Sequence, residues 1–337
     1  MSDDDLARAL RALDPARTPA DAPVPLAAER RLREILERPP RSIAARRRRV
    51  LPGLAAAAVA VVALVVGTIV WWPAPTATAL TPEPLKYAAV DDDVPTLLTA
   101  AQDRLAHNPG RDDAVRRSLT LGWFFSATVG EPDATVFRRE WVDVSWNTDL
   151  SGSVVTTVAE STDAAGDTVP ADDPAPGTVV GDASFIRGQF HPLSIDPPPA
   201  TIDAMRELVA TAIGPQTPLT SGDAIIGVQT LLGEWTFSDA QESALLDVVR
   251  EAADVRVLGR TTDRVGRAAI GLGGIPTGTP NTDATLLVSL DSGRILGVET
   301  SLRAADDTLG LPAGSVTSYT LWDVEDRPDA PPAPAAP

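Results

Sequence analysis

Residues 285–303, TLLVSLDSGRILGVETSLR, decide the fold. Two apolar runs, Thr285–Leu290 and Ile295–Arg303, flank Asp291-Ser292-Gly293-Arg294, with Gly where a tight turn needs it, so the stretch reads as a β-hairpin. Leu296, Val298 and Leu302 alternate with Gly297, Glu299, Ser301 and Arg303, the pattern of an antiparallel sheet wet on one face. Upstream, Val255–Thr262 and Arg267–Leu272 repeat the arrangement around Asp263-Arg264-Val265-Gly266. Downstream, Val316–Glu325, carrying Tyr319 and Trp322, reads as the closing strand. Earlier strand-like runs are Leu119–Val129, Thr135–Trp146 and Ser153–Glu160.

Between the early and late strands the periodicity changes to that of helices. Ile202, Met205, Leu208, Val209 and Ala212 recur at helical spacing, and Ser238-Asp239-Ala240-Gln241 has the form of a capping box before Leu245, Leu246, Val248, Val249 and Ala252. A further helix is expected over Thr96–Ala106. Ser161–Gly177, rich in Asp, Pro, Ala and Gly, reads as a long surface loop or disordered insert, and His191–Ala200 as a proline-rich break. Residues 85–327 therefore form an α+β domain, and 328–337 a Pro/Ala tail.

Val50–Trp72 is a run of 23 residues without a charge. At about 1.5 Å per residue it spans roughly 34 Å as a helix, enough for a hydrocarbon core of about 30 Å. Pro52 falls in the first turn, and Trp71 and Trp72 close the segment as indoles do at a headgroup boundary. Nine Arg, among them Arg46, Arg47, Arg48 and Arg49, lie in the 20 residues before it, against Lys86 alone in the 20 after. The positive-inside rule then puts the N-terminus in the cytoplasm and the C-terminal domain outside the cell membrane, as a single-pass protein. Ala77-Thr78-Ala79 and Arg47-Arg48 resemble features of a cleaved signal, but the apolar run is longer than a signal core and 49 residues precede it, so the span reads as an anchor. Residues 73–84 form a Pro-rich linker beyond it.

The formal charge of −17 divides unevenly along the chain. Residues 1–49 hold 12 Arg and 8 acidic residues, net +4, while residues 50–337 hold 17 basic and 38 acidic residues, net −21. That distribution argues against a nucleic-acid partner. Within residues 1–49 two short helices are expected, one carrying Leu6, Leu10 and Leu13, the other Leu32, Ile35 and Leu36. Three readings stay open for this segment: it is largely disordered, its apolar stripes dock on a cytoplasmic protein, or its Arg-rich stretch lies on anionic headgroups.

With no Cys and only His107 and His191, thiolate and multi-histidine metal centres are excluded, and no metal or cofactor is expected. No Gly-x-Ser-x-Gly, phosphate-loop or His-Glu-x-x-His pattern occurs, so the chain reads as a non-enzyme. Gly271-Leu272-Gly273-Gly274 is broken as a dinucleotide fingerprint by Pro276 and reads as a loop between strands. Asp91-Asp92-Asp93 and Asp172-Asp173 lack calcium-loop spacing and read as solvated loops. Trp123, Trp141, Trp146, Trp235 and Trp322 are expected in the core, with the lining of an apolar groove as the alternative.

Taken together, Leu6, Leu10, Leu13, Asp14 and Pro15, the Ala/Val-rich span, Glu251–Arg267 and Leu286–Thr300 resemble a family of actinobacterial single-span membrane proteins. The Ala204–Ala212 helix and the Arg138–Gly152 run fit it more loosely. The 28 Arg against a single Lys suit a high-GC genome of that kind. That family looks like anti-sigma-factor proteins in layout, and its outer domain is similar to lipoprotein-carrier or RseB-type folds. The resemblance implies a curved, half-barrel-like antiparallel sheet with helices on its concave side. It does not extend to the zinc-binding anti-sigma domain, which needs Cys and His before the span. The functional expectation is an envelope protein whose outer domain binds a ligand or an envelope partner, with a sigma factor as the candidate cytoplasmic partner. The alternatives are an anchored carrier or sensor of lipid- or lipoprotein-like molecules, for which the ligand is apolar, and a structural accessory protein.

Overall fold

The structure is a computed structural model that describes residues 81–108, 110–124, 137–169, 174–214, 218–307 and 310–324. The chain divides between Trp72 and Pro73, and everything described belongs to the second part. The expected span Val50–Trp72, the Arg46–Arg49 cluster, the two leucine stripes, Asp172-Asp173 and the tail lie outside the described residues. Among the described residues no helix is long and apolar enough to cross a membrane.

Ten strands form one antiparallel sheet. In chain order they are β1 (Arg117–Phe124), β2 (Phe137–Trp146), β3 (Gly152–Thr162), β4 (Thr168–Val169), β5 (Val179–Phe185), β6 (Arg256–Thr262), β7 (Ala268–Gly274), β8 (Thr282–Ser289), β9 (Ile295–Leu302) and β10 (Val316–Leu321). Their spatial order is β4-β3-β2-β1-β10-β9-β8-β7-β6, with β5 also on β3. The last strand therefore sits in the middle, where it joins the early meander to the late one. Among the described residues four helices accompany the sheet: α1 (Val94–His107), α2 (Ile202–Ile213), α3 (Ser221–Leu232) and α4 (Asp239–Glu251). The α+β class and antiparallel sheet expected from sequence are both present.

Local chemistry explains where the helices start. Asp93 caps α1, its carboxylate accepting the Thr96 N–H at 2.9 Å, a use of the acidic triplet that its reading as a solvated loop left out. Ser238 and Gln241 form the expected reciprocal capping box on α4. Helix α3 is a finding of the structure. Nine of its twelve residues are buried, so it has no polar face and no amphipathic period to read. It lies against β7, β8 and β9. Gly274 ends β7 against its first turn: a Cβ there would come within 2.3 Å of the Gly222 nitrogen. The run Gly271–Gly274 is thus strand rather than loop, with glycines admitting close neighbours. Likewise β3 continues through Thr162 and β4 follows, inside the segment expected to be an insert, while β5 was not anticipated.

The main core fills the space between sheet and helices. It joins Leu98, Met205, Val209, Ile225, Val228, Leu245 and Leu246 from the helices to Ile270, Leu272, Leu286, Val288 and Val298 from the sheet. The opposite face is also covered. Val265 in the β6–β7 turn packs on Leu121, Trp141 and Ala159 of β1–β3, and the Glu83 N–H reaches the Ala164 carbonyl in the β3–β4 turn at 2.7 Å. From β7 to β1 is four strand spacings, about 19 Å in a flat sheet. Such contacts require the sheet to curl toward its helix-free face, aided by bulges in β6–β7, β8–β9 and β9–β10. The helices therefore lie outside this curl, whereas the resemblance implied helices on the concave side.

The same features correct the wet face expected for β9. The bulge at Leu287/Val288 puts Leu296 with Ala269 and Leu287 on the helix-free face, while Val298 joins the helical core. Glu299 is buried on that covered face, paired with Arg264 at 2.7 Å.

Candidate functional site

A cavity of about 310 Å³ opens where β1 and β10 part. The two strands pair only over Leu121–Phe124 of β1, so Arg117–Thr120 lack β10 as a neighbour. Chain departure causes the gap: Asp323 adopts a left-handed conformation (φ 54°), which Asp tolerates better than most residues. The α3–α4 connection fills part of the vacated space. Thr236 exchanges backbone hydrogen bonds with Val115 at 2.9 and 3.0 Å, and its hydroxyl donates to the Arg117 carbonyl at 2.6 Å. The Leu232 carbonyl ends α3 without an intrahelical partner and accepts from Ser118 Oγ at 2.5 Å and Trp322 Nε1 at 2.9 Å.

The cavity's lining includes six apolar or aromatic side chains: Leu119, Leu232, Phe237, Ile295, Trp322 and Val324. The rest is Arg111, Arg117, Trp235, Thr236, Glu242 and Asp323. The charged groups are arranged in pairs. Arg117 makes a two-pronged contact with Asp143 at 2.9 and 2.7 Å, and Arg111 is paired with Asp323. Arg294, in the β8–β9 turn, bridges Asp239 and Glu242 near the α4 N-terminus, at 3.0 Å for Glu242. The Ile295 N–H donates to the other Glu242 oxygen.

Glu242 is fully buried, and burial pushes its carboxyl up to about 7. Arg294, the Ile295 N–H and Arg111 oppose the rise, and Asp323 adds to it. At neutral pH this side chain thus sits near the midpoint of its titration. Trp235 supplies a different asymmetry. It is 1% exposed, and its indole N–H is one of the buried side-chain polar atoms with no hydrogen-bond partner among the described residues. Of that set, it alone belongs to the cavity wall.

All five tryptophans expected in the core are buried, and Trp235 and Trp322 also line this cavity, so both readings of them hold at once. Trp146 stacks on Phe190 and meets Trp235 edge to face, and the Arg116 guanidinium lies 5.3 Å from the Trp146 ring and 5.1 Å from the Trp235 ring. His107 ends α1 and His191 lies in an exposed loop. No group of three or more potential metal ligands occurs among the described residues. Sequence reasoning missed Glu242, Arg294, Arg111 and Asp323 as a set. Three of them, Glu242, Arg294 and Asp323, stood inside stretches read for their secondary structure, and the ion pairs cross up to 212 positions of chain.

No family model and no curated protein matches the chain, so the actinobacterial family and its anti-sigma layout gain no support from those comparisons. Among solved structures, one match is a domain from Vibrio parahaemolyticus described as an outer membrane lipoprotein-sorting protein. It is 13% identical, covers 69% of this chain and 92% of its own, and has a TM-score of 0.22. Similarity at that level carries no functional argument.

Proposed function

We propose that this chain is a membrane-tethered envelope protein whose outer domain binds a small, lipid-like amphiphile in the cavity between β1 and β10, as a carrier or sensor rather than an enzyme. The observation behind this reading is the composition of the wall: six apolar side chains, Leu119, Leu232, Phe237, Ile295, Trp322 and Val324, beside a few charged groups already held in ion pairs. Size limits the ligand. At about 30 Å³ per water-sized group, 310 Å³ holds roughly ten such groups, which admits one short chain and excludes a multi-chain lipid. The filled core between helices and sheet supports the same limit. Each charged group lining the cavity is held in an ion pair, Arg111 with Asp323, Arg117 with Asp143 and Glu242 with Arg294, which suits a binding wall better than a reacting centre. Tethering through Val50–Trp72, with a cytoplasmic N-terminus, would keep the cavity outside the cell near a lipid source.

Among the described residues the four hydrophobic clusters draw on Leu85 to Val324, and residues 73–337 are a compact unit that can be studied alone. Titrating this portion with straight-chain alcohols of increasing length should give saturable binding up to about ten carbons and a fall beyond. Leu232→Trp, which fills the cavity, should abolish binding while cooperative unfolding is retained. Absence of saturable binding at every length would contradict the reading.

A further inference from the structure

Apart from a bridge at Ala88, residues 81–90 belong to no helix or strand, yet they cross the helix-free face of the sheet. At one end the Glu83 N–H meets the Ala164 carbonyl in the β3–β4 turn. At the other, Ala88 exchanges two backbone hydrogen bonds of 2.8 Å with Arg260 on β6, an outer strand of the sheet. Between them Leu85 packs on Ala269, Leu287 and Leu296, and its N–H donates to the buried Glu299 carboxylate. The Tyr87 hydroxyl is hydrogen-bonded to Thr285 on β8. The Tyr87 ring lies on Gly271 and the Ala88 carbonyl on Gly259, two glycines that face each other across β6 and β7. A Cβ at either one would collide with the segment. The glycine pair therefore makes a slot, with a pocket for Tyr87 beside a strand edge for the Ala88 backbone. These are the two elements by which a sheet takes up an added peptide strand. Leu85 and Tyr87 face the sheet, while Lys86 and Ala88 are exposed, the alternation of an extended chain.

We propose that residues 83–88 are a detachable strap, the internal occupant of a groove that reads an extended Leu-x-Tyr segment, and that its release opens the groove to the same segment of a second copy. This goes beyond the cavity reading and does not depend on it. Every partner of the strap is remote in sequence, and the ladders from β6 to β9 are complete without it. Glu83, Pro84, Lys86, Ala88 and Ala89 are exposed, so the backbone bonds at Ala88 lie at the surface. Few buried contacts and exposed backbone bonds mark a segment that opens ahead of the whole domain. Asp91 and Asp92, both exposed, link the strap to α1 and give it a hinge. The second copy is the occupant that fit selects, since every copy carries a segment that matches this slot. Exchange of an identical element is also the least demanding route to association. Docked in its own chain, the strap competes at an effective concentration in the ~mM range, so exchange requires that it first be loosened.

Native-state hydrogen exchange on residues 73–337 tests detachment. The Ala88 and Arg260 amides should exchange about a hundredfold or more faster than those of Ile270 and Leu272 in β7, which open only with the whole domain. Equal rates overturn the proposal, because the strap then leaves only on global unfolding. Recognition is tested with a labelled peptide of residues 81–90, offered to the unaltered portion and to its Tyr87→Ala variant, in which the strap is loosened. The peptide should bind the variant saturably and about tenfold or more tightly than the unaltered portion, whose slot is filled. The same peptide carrying Tyr87→Ala should bind neither. If both peptides bind alike, the strand edge is merely adhesive and the reading of Leu-x-Tyr is overturned. If neither binds a variant that still unfolds cooperatively, the second copy as occupant is overturned. Should Tyr87→Ala fail to fold, Leu85→Ala takes its place in the peptide comparison, and the exchange rates of the unaltered portion still decide detachment.

Discussion

Glu242 releases its proton near 7 in the folded protein and near 4.5 when unfolded. Between those values the folded state holds the extra proton, so the contribution of Glu242 to stability is full below about pH 4.5, falls as pH rises toward 7, and then levels. A displacement from 4.5 to about 7 corresponds to about 3 kcal/mol at ~1.4 kcal/mol per pH unit. Glu234 and Glu299 are raised by burial as well and act in the same direction. Denaturant unfolding of residues 73–337 between pH 5 and 8 should show this loss, and Glu242→Gln should remove most of the slope. An unchanged slope in the variant would assign the proton to another group. Nothing in the sequence announced this residue. Its pattern position, third after Asp239 in a capped helix, reads equally well as a favourable first-turn carboxylate, and only tertiary burial separates the two.

At the scale of elements, legibility followed periodicity. Helices α1, α2 and α4 and the late hairpins were readable because each has one apolar and one polar side, or a turn with Gly at the required place. Helix α3 was invisible because it is apolar almost all round, and β5 because both its faces are exposed and its composition is that of a loop. The Gly271–Gly274 run was misread because a glycine needed for close packing has the same letter as one needed for a turn. Substitution separates these two uses. Gly274→Ala forces a Cβ against the Ser221–Gly222 backbone and should cost at least the ~1–3 kcal/mol of ordinary overpacking. Gly266, in the β6–β7 turn at φ 87°, has open space where a methyl would go, with nothing within 4 Å, so Gly266→Ala should cost only the ~1–2 kcal/mol of left-handed strain. Equal midpoints for the two variants in thermal unfolding would contradict the packing account.

For the whole molecule, the sequence separated an apolar stretch and a basic N-terminal segment from an acidic domain, and the domain is the part the structure describes. Its class and meander order were legible because antiparallel neighbours are close in sequence. The placement of β10 between β1 and β9 was not, since it depends on pairing across some 200 residues. The cavity is a direct result of that placement: a central strand that leaves the sheet early opens a gap that α3, its following connection and α4 only partly fill. A ligand at this seam touches both meanders, so its binding couples the two halves of the sheet. The central claim is that this gap is a binding site. The direct measurement is a titration of ¹⁵N-labelled residues 73–337 with octanol, following the indole N–H signals. The account predicts a saturable shift of Trp235 and Trp322, with Trp123 and Trp141 on the helix-free face unmoved; shifts absent from Trp235, or spread evenly over all the tryptophans, would contradict it.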